Sequence, residues 1–167
     1  QQMSIPPLSP TGYDDITQEV LEAELMVVIR HNGATIADLR TIFDSSFAAL
    51  GRAMSAGQFI AVGPAYAVYY GDPQGEFDLE VGFPAMGAPT NAIDSPAGRI
   101  HTSALPAGPA AVLSHVGNYE GMGASWQKLL SGAGAEPRGV WIEAYVSDPS
   151  TTAPENMRTD LILPLKP

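Results

Sequence analysis

An α+β fold of two tandem β-β-α-β-β repeats, with two antiparallel sheets carrying one helix each, is predicted by three observations. Three stretches recur in the same order: "VVIRHNG" (27 to 33) with "VLSHVG" (112 to 117), "AYAVYYGDP" (65 to 73) with "WIEAYVSDP" (141 to 149), and "FDLEVGFP" (77 to 84) with "MRTDLILP" (157 to 164). Their offsets of 84, 76 and 80 residues differ only by what loop insertions supply, as in a tandem duplication. Between the first and second stretches of each half lies an apolar pattern of helical period, and "FDLEVGFP" alternates with the period of a strand. A pseudo-twofold arrangement with a ligand groove at its centre is the expected result.

The elements follow in order. "IPPLSP" opens an extended amino-terminal segment, 1 to 13, expected to be mobile. A single domain then spans 14 to 167, with repeat one at 14 to 84, a Pro- and Gly-rich linker at 85 to 97, and repeat two at 98 to 165. Repeat one has strands near 16 to 23 and 25 to 31, a helix near 36 to 54, and strands near 65 to 71 and 77 to 83. Ile36, Leu39, Phe43, Phe47, Leu50 and Met54 form the helix's apolar face, and Thr35 with Asp38 matches a capping box. Repeat two has strands near 98 to 105 and 110 to 116, a helix near 119 to 131 started by Asn118, and strands near 139 to 146 and 157 to 163. In that helix Gly121 and Gly123 each cost about 1 kcal/mol relative to Ala.

Composition narrows the function. The chain has 167 residues, a formal net charge of -10 and eight Lys and Arg residues scattered singly. Nucleic acid and anionic membrane both need a basic surface, so direct binding to either is not expected. No apolar run approaches the roughly 20 residues of a bilayer span, and the absence of cysteine removes disulfides and thiolate chemistry. A cytoplasmic protein is expected.

The stretch "GVWIEAYVSDP" (139 to 149) points to a site. Side chains alternate along a strand, so Trp141, Glu143 and Tyr145 project together while Ile142, Ala144 and Val146 make an aliphatic core face. A carboxylate among aromatic rings loses hydration that a partner must restore. A cation does so through Coulomb attraction and ring contacts worth roughly 0.5 to 2 kcal/mol each. Tyr69, the repeat counterpart of Tyr145, adds a further ring. His31 and His115 occupy matching strand ends but have no second ligand at a suitable spacing, so no metal is expected. Asp14, Asp15, Asp78 and Glu80 read as solvated surface, and Trp126 as core. No nucleophile elbow, phosphate loop or haem-ligand motif is present, and no cofactor is expected.

The second half also resembles a known family, the GyrI-like small-molecule-binding domain, which is the effector domain of many AraC- and MerR-type regulators and is related in fold to the SOUL proteins. His115, Gly117, Tyr119 and Glu120 match its strand-end motif. Trp141, Glu143, Tyr145, Asp148 and Pro149 match its aromatic-x-Glu-x-Tyr strand, and Pro154, Glu155, Leu163 and Pro164 match its closing segment. The resemblance implies an apolar, often cationic ligand held between repeats, with Glu143 at the pocket floor. Trp141, Tyr145, Tyr69, Tyr119 and His115 are then the expected ligand contacts. Ala67 takes Glu143's place in the first half, leaving one acid rather than two.

Three functions follow as expectations. One is a multidrug-type binder acting as a stand-alone sensor or sequestering domain, or as the effector domain of a transcription regulator. No helix-turn-helix precedes the domain in this sequence, which favours the stand-alone form. Another is a hydrolase of strained cyclopropane-bearing or other electrophilic toxins, with Glu143 and Tyr145 as catalytic residues. The third is a gyrase-inhibitor-like module that binds a protein partner through its acidic surface; a homodimer is a further possible assembly.

Overall fold

The computed structural model describes residues 9, 11–71, 75–87, 89, 91–148 and 150–167. Most of the amino-terminal stretch expected to be mobile, and Pro149 of the strand motif, lie outside these residues. The fold is α+β, with nine strands and two α-helices among the described residues. The strands are β1 (Thr17–Leu21), β2 (Glu24–Ala34), β3 (Ile60–Ala61), β4 (Ala65–Gly71), β5 (Phe77–Met86), β6 (Ile100–Leu105), β7 (Gly108–Val116), β8 (Val140–Tyr145) and β9 (Arg158–Pro164). Helix α1 (Leu39–Ser55) follows β2, and α2 (Met122–Gly132) follows β7.

The chain forms two compact units, one of residues 23–105 and one of residues 1–22 with 106–167. In the contiguous unit the antiparallel order is β4-β5-β2-β6, with the short β3 also beside β5. In the other it is β1-β7-β9-β8. Each unit thus takes its first strand from the opposite half of the sequence: β1 pairs with β7, and β6 pairs with β2. Thr17 faces Val112, and the matching pair, 84 residues away at both positions, is His101 facing Val28.

Registers inside the units are compatible with a duplication. Arg30↔Glu80 corresponds to Ser114↔Asp160, and Ala67↔Val81 to Glu143↔Leu161, at the offsets read from sequence. In both units the second strand turns into its helix through a glycine of positive φ, Gly33 at +67° and Gly117 at +131°, where a side chain would be strained.

Each helix covers one sheet face. Under α1, Val27, Ile29, Ala49, Leu50, Ala53, Phe59, Ala85 and Ile100 form a core; under α2, Ala111, Leu113, Leu129, Ala133, Leu161, Leu163 and Leu165 do. Full burial of one such aliphatic side chain contributes about 1.5–3 kcal/mol. At the start of α1 the capping box forms, with Asp38 Oδ2 accepting from the Thr35 backbone N–H at 3.0 Å. Ile36, expected on the apolar face, sits in the 3-10 turn before the helix and is exposed. The three-residue period of that turn breaks the helical stripe. Asn118 caps as expected, accepting from Glu120 N at 3.1 Å, but it opens a 3-10 turn (Tyr119–Gly121), and α2 begins only at Met122.

Candidate functional site

The site grows from β8. Trp141, Glu143 and Tyr145 share the face under α2, while Ile142 and Ala144 on the opposite face are buried. Sequence reading took the aliphatic side as the core and left the aromatic side open. The aliphatic side is buried as expected, and the structure adds that α2 lies over the aromatic side as well, where Trp126 and Trp141 join the hydrophobic cluster of Leu129, Leu161 and Leu163.

Glu143 is half-buried and accepts hydrogen bonds from Trp126 and Tyr145. Trp126 Nε1 donates to Oε2 at 2.9 Å, and the Tyr145 hydroxyl donates to Oε1 at 2.6 Å. Donation to an ionised oxygen is roughly twice as strong as between neutral groups, and it compensates the desolvation of the carboxylate. Around this centre the rings stand edge to face: Trp126 on Trp141 at 5.5 Å between centroids, and Tyr119 on Tyr145 at 6.4 Å. Tyr119 is 53% exposed, so its ring marks the solvent side of the group. Burial first, and the charge of Glu143 second, push its hydroxyl pKa up.

Of the residues singled out from sequence, Glu143, Trp141, Tyr145 and Tyr119 come together in this unit. His115 lies in it too, buried, with both ring nitrogens engaged in holding the backbone turn and the helix. Its Nδ1 is 2.7 Å from Ser125 Oγ and its Nε2 2.8 Å from the Asn118 carbonyl. Because a carbonyl only accepts, Nε2 carries the proton. Ala67 and Tyr69 belong to the contiguous unit, where Ala67 is buried and Tyr69 packs edge-on against Phe77 at 5.3 Å.

Sequence reasoning missed Trp126 as a partner of Glu143. Its place on the helix's apolar stripe signalled core, and half of that is true, but an indole on such a stripe also carries an N–H that needs an acceptor.

A second polar cluster overturns another expectation. Glu80 is buried rather than solvated, and it accepts from Arg30 Nη1 at 3.1 Å, Ser103 Oγ at 2.8 Å and the Tyr70 hydroxyl at 3.3 Å. Asp78 joins through Arg30 Nη2 at 3.2 Å, and the guanidinium lies 5.1 Å from the centre of the Tyr70 ring. At the corresponding place in the other unit Asp160 is fully buried, held by Arg158 through two bonds of 2.9 and 2.8 Å and by Ser114 Oγ at 2.6 Å. Buried charges persist only when paired in this way. Every one of these partners is charged or polar, which suits structure better than capture of an apolar ligand. Among the described residues, no group of three or more His, Asp or Glu side chains is placed to hold a metal, and no helix is long and apolar enough to cross a membrane.

The profile of the GyrI-like small-molecule-binding domain matches residues 14–166. No curated protein sequence matches the chain. Solved structures do. The EcmrR C-terminal domain aligns with a TM-score of 0.69 at 13% identity, covering 91% of this chain and 97% of that one. SAV2435 bound to tetraphenylphosphonium aligns at 0.64 and 11% identity, covering 91% and 94%. A hydrolase from Listeria innocua aligns at 0.60 and 14% identity, covering 94% of each. At such identities the likeness is one of fold.

Proposed function

Because the chain belongs to the GyrI-like small-molecule-binding family, we propose that it binds a hydrophobic, aromatic, cationic small molecule at the Glu143 cluster. The observation that carries this reading is a half-buried carboxylate ringed by Trp126, Trp141, Tyr145 and Tyr119. Aromatic faces attract a cation and the carboxylate supplies its counter-charge, so a delocalised organic cation suits both. Binding of tetraphenylphosphonium by SAV2435 supports the same ligand class. Such a ligand must share or displace the donors on Glu143, which favours large apolar cations that recover in ring contact what those bonds lose. The role is that of a cytoplasmic sensor or sequestering domain, acting alone or as the effector domain of a regulator.

Calorimetric titration of the protein and its Glu143→Gln variant with tetraphenylphosphonium and with neutral triphenylphosphine oxide tests the reading. Affinity for the cation should fall by about 1–3 kcal/mol in the variant while the neutral compound is spared. Equal loss for both sinks the electrostatic role of Glu143.

The 2.6 Å bond between Tyr145 and Glu143 favours a second reading, hydrolysis, since a carboxylate paired with a phenol can pass a proton. Mass spectrometry of electrophilic esters and cyclopropanes after incubation separates the two. Product formed by the wild type and not by Glu143→Gln means an enzyme, and intact compound means a binder.

A further inference from the structure

We propose that the ligand carries a hydrogen-bond acceptor besides its positive charge, read by Trp141 Nε1 and Thr159 Oγ1. This rests on the cation reading and adds to it the polar half of the ligand's chemistry. Both atoms are shut off from solvent and have no hydrogen-bond partner among the described residues. A buried donor left unmade is costly to a fold, so two of them in one unit call for an explanation.

Their placement supplies the reason. Trp141 stands two residues before Glu143 on the same face of β8, about 7 Å along the strand. Thr159 on β9 faces Tyr145, the residue on Glu143's other side, in the β8–β9 register. The two groups therefore flank the carboxylate along the strand direction, on the face that α2 covers. An indole N–H can only donate, which fixes the polarity of what it recognises as an acceptor oxygen or nitrogen. A threonine hydroxyl donates as readily. By contrast the other polar groups nearby are committed: Trp126 and Tyr145 to Glu143, and His115 to Ser125 and Asn118. A purely hydrocarbon cation would leave both donors unmade in the complex, whereas one bearing a carbonyl or ether would satisfy one of them, and a ligand with acceptors on both sides of its charge would satisfy both.

The test compares (4-acetylbenzyl)triphenylphosphonium with (4-isopropylbenzyl)triphenylphosphonium, ions of equal charge and closely similar shape that differ in one acceptor oxygen. Wild type should bind the acetyl ion about 5- to 10-fold more tightly, the size of one hydrogen bond. Trp141→Phe or Thr159→Val, according to which donor the acetyl oxygen reaches, should shrink that preference, and the pair of changes together should abolish it. The Thr159→Val protein alone should also melt at a higher temperature, because it no longer buries an unmade hydroxyl. Equal binding of the two ions by wild type, or a preference that survives both changes, overturns the acceptor proposal and leaves the cation reading standing. A lower melting temperature for Thr159→Val would show its hydroxyl to be structural and overturn its part. Failure to bind either ion overturns the cation reading and this proposal together.

Discussion

Trp126 Nε1, on α2, donates a 2.9 Å hydrogen bond to Glu143 Oε2, on β8, and so ties the helix to an acid of the strand it covers. Hydrogen bonds to a charged group are worth roughly 1.5–3 kcal/mol. Trp126→Phe keeps a ring over Trp141 but removes the donor, and should lower stability in urea by about 1–3 kcal/mol. The same change should increase the thermal shift produced by tetraphenylphosphonium, since the cation no longer competes with the indole. A variant that loses stability and binding alike would show that Trp126 builds the site instead of competing for it.

The Arg158–Asp160 pair is a buried ion pair in the same unit. Arg158→Met leaves a fully buried carboxylate with Ser114 alone of its two described partners, and should cost about 3–5 kcal/mol. Replacing both, as Arg158→Met with Asp160→Leu, should recover most of that loss, because an apolar pair needs no compensation for desolvation. Urea unfolding of the three proteins gives the comparison, and a double variant as unstable as the single one would contradict it.

Tyr13 and Tyr70 set an alkaline limit. Burial and then neighbouring carboxylates, Glu19 for one and Glu80 for the other, push both hydroxyls from 10.0 up to about 12. In the unfolded chain the same phenols ionise near 10, so the unfolded state binds fewer protons above that pH. Stability is then fully present below about pH 10 and is lost as pH rises toward 12. Urea midpoints taken across this window should fall in the wild type and fall less in Tyr13→Phe and Tyr70→Phe.

His31 works in the acid range. Burial lowers its pKa from 6.5, where it sits 2.8 Å from Ser46 Oγ. An unfolded chain takes up a proton there first, so this histidine removes stability as pH falls below about 6.5. His31→Gln should show a shallower loss of the urea midpoint between neutral pH and that range, and an unchanged slope would contradict it.

Much of this was legible in the sequence. Period-2 alternation put Trp141, Glu143 and Tyr145 on one face, and the offsets between repeated stretches reappear in the strand registers. What was hidden depends on pairing across long separations. Glu80 looked solvated because "FDLEVGFP" alternates like a strand with one wet face. Only the approach of Arg30 and Ser103 makes burial of its carboxylate tolerable. Trp126 was placed correctly on an apolar stripe, yet no local pattern says that its N–H meets a strand residue. The pairing of β1 with β7 and of β6 with β2 was invisible for a related reason: the sequence reading set β1 and β6 at matching places of the two halves, and nothing in either one names the sheet it joins.

That exchange imposes an order in time. Tyr13 N bonds Ser114 Oγ across 101 residues, and β1 finds its partner β7 only beyond the end of the contiguous unit. During synthesis from the amino terminus, residues 23–105 are complete while β1 still waits, a strand with both edges bare. Bare edges invite pairing with other chains. Asp14, Asp15, Glu19 and Glu22 crowd this strand and its borders with negative charge, and like charge on neighbouring nascent chains keeps such strands apart until β7 emerges.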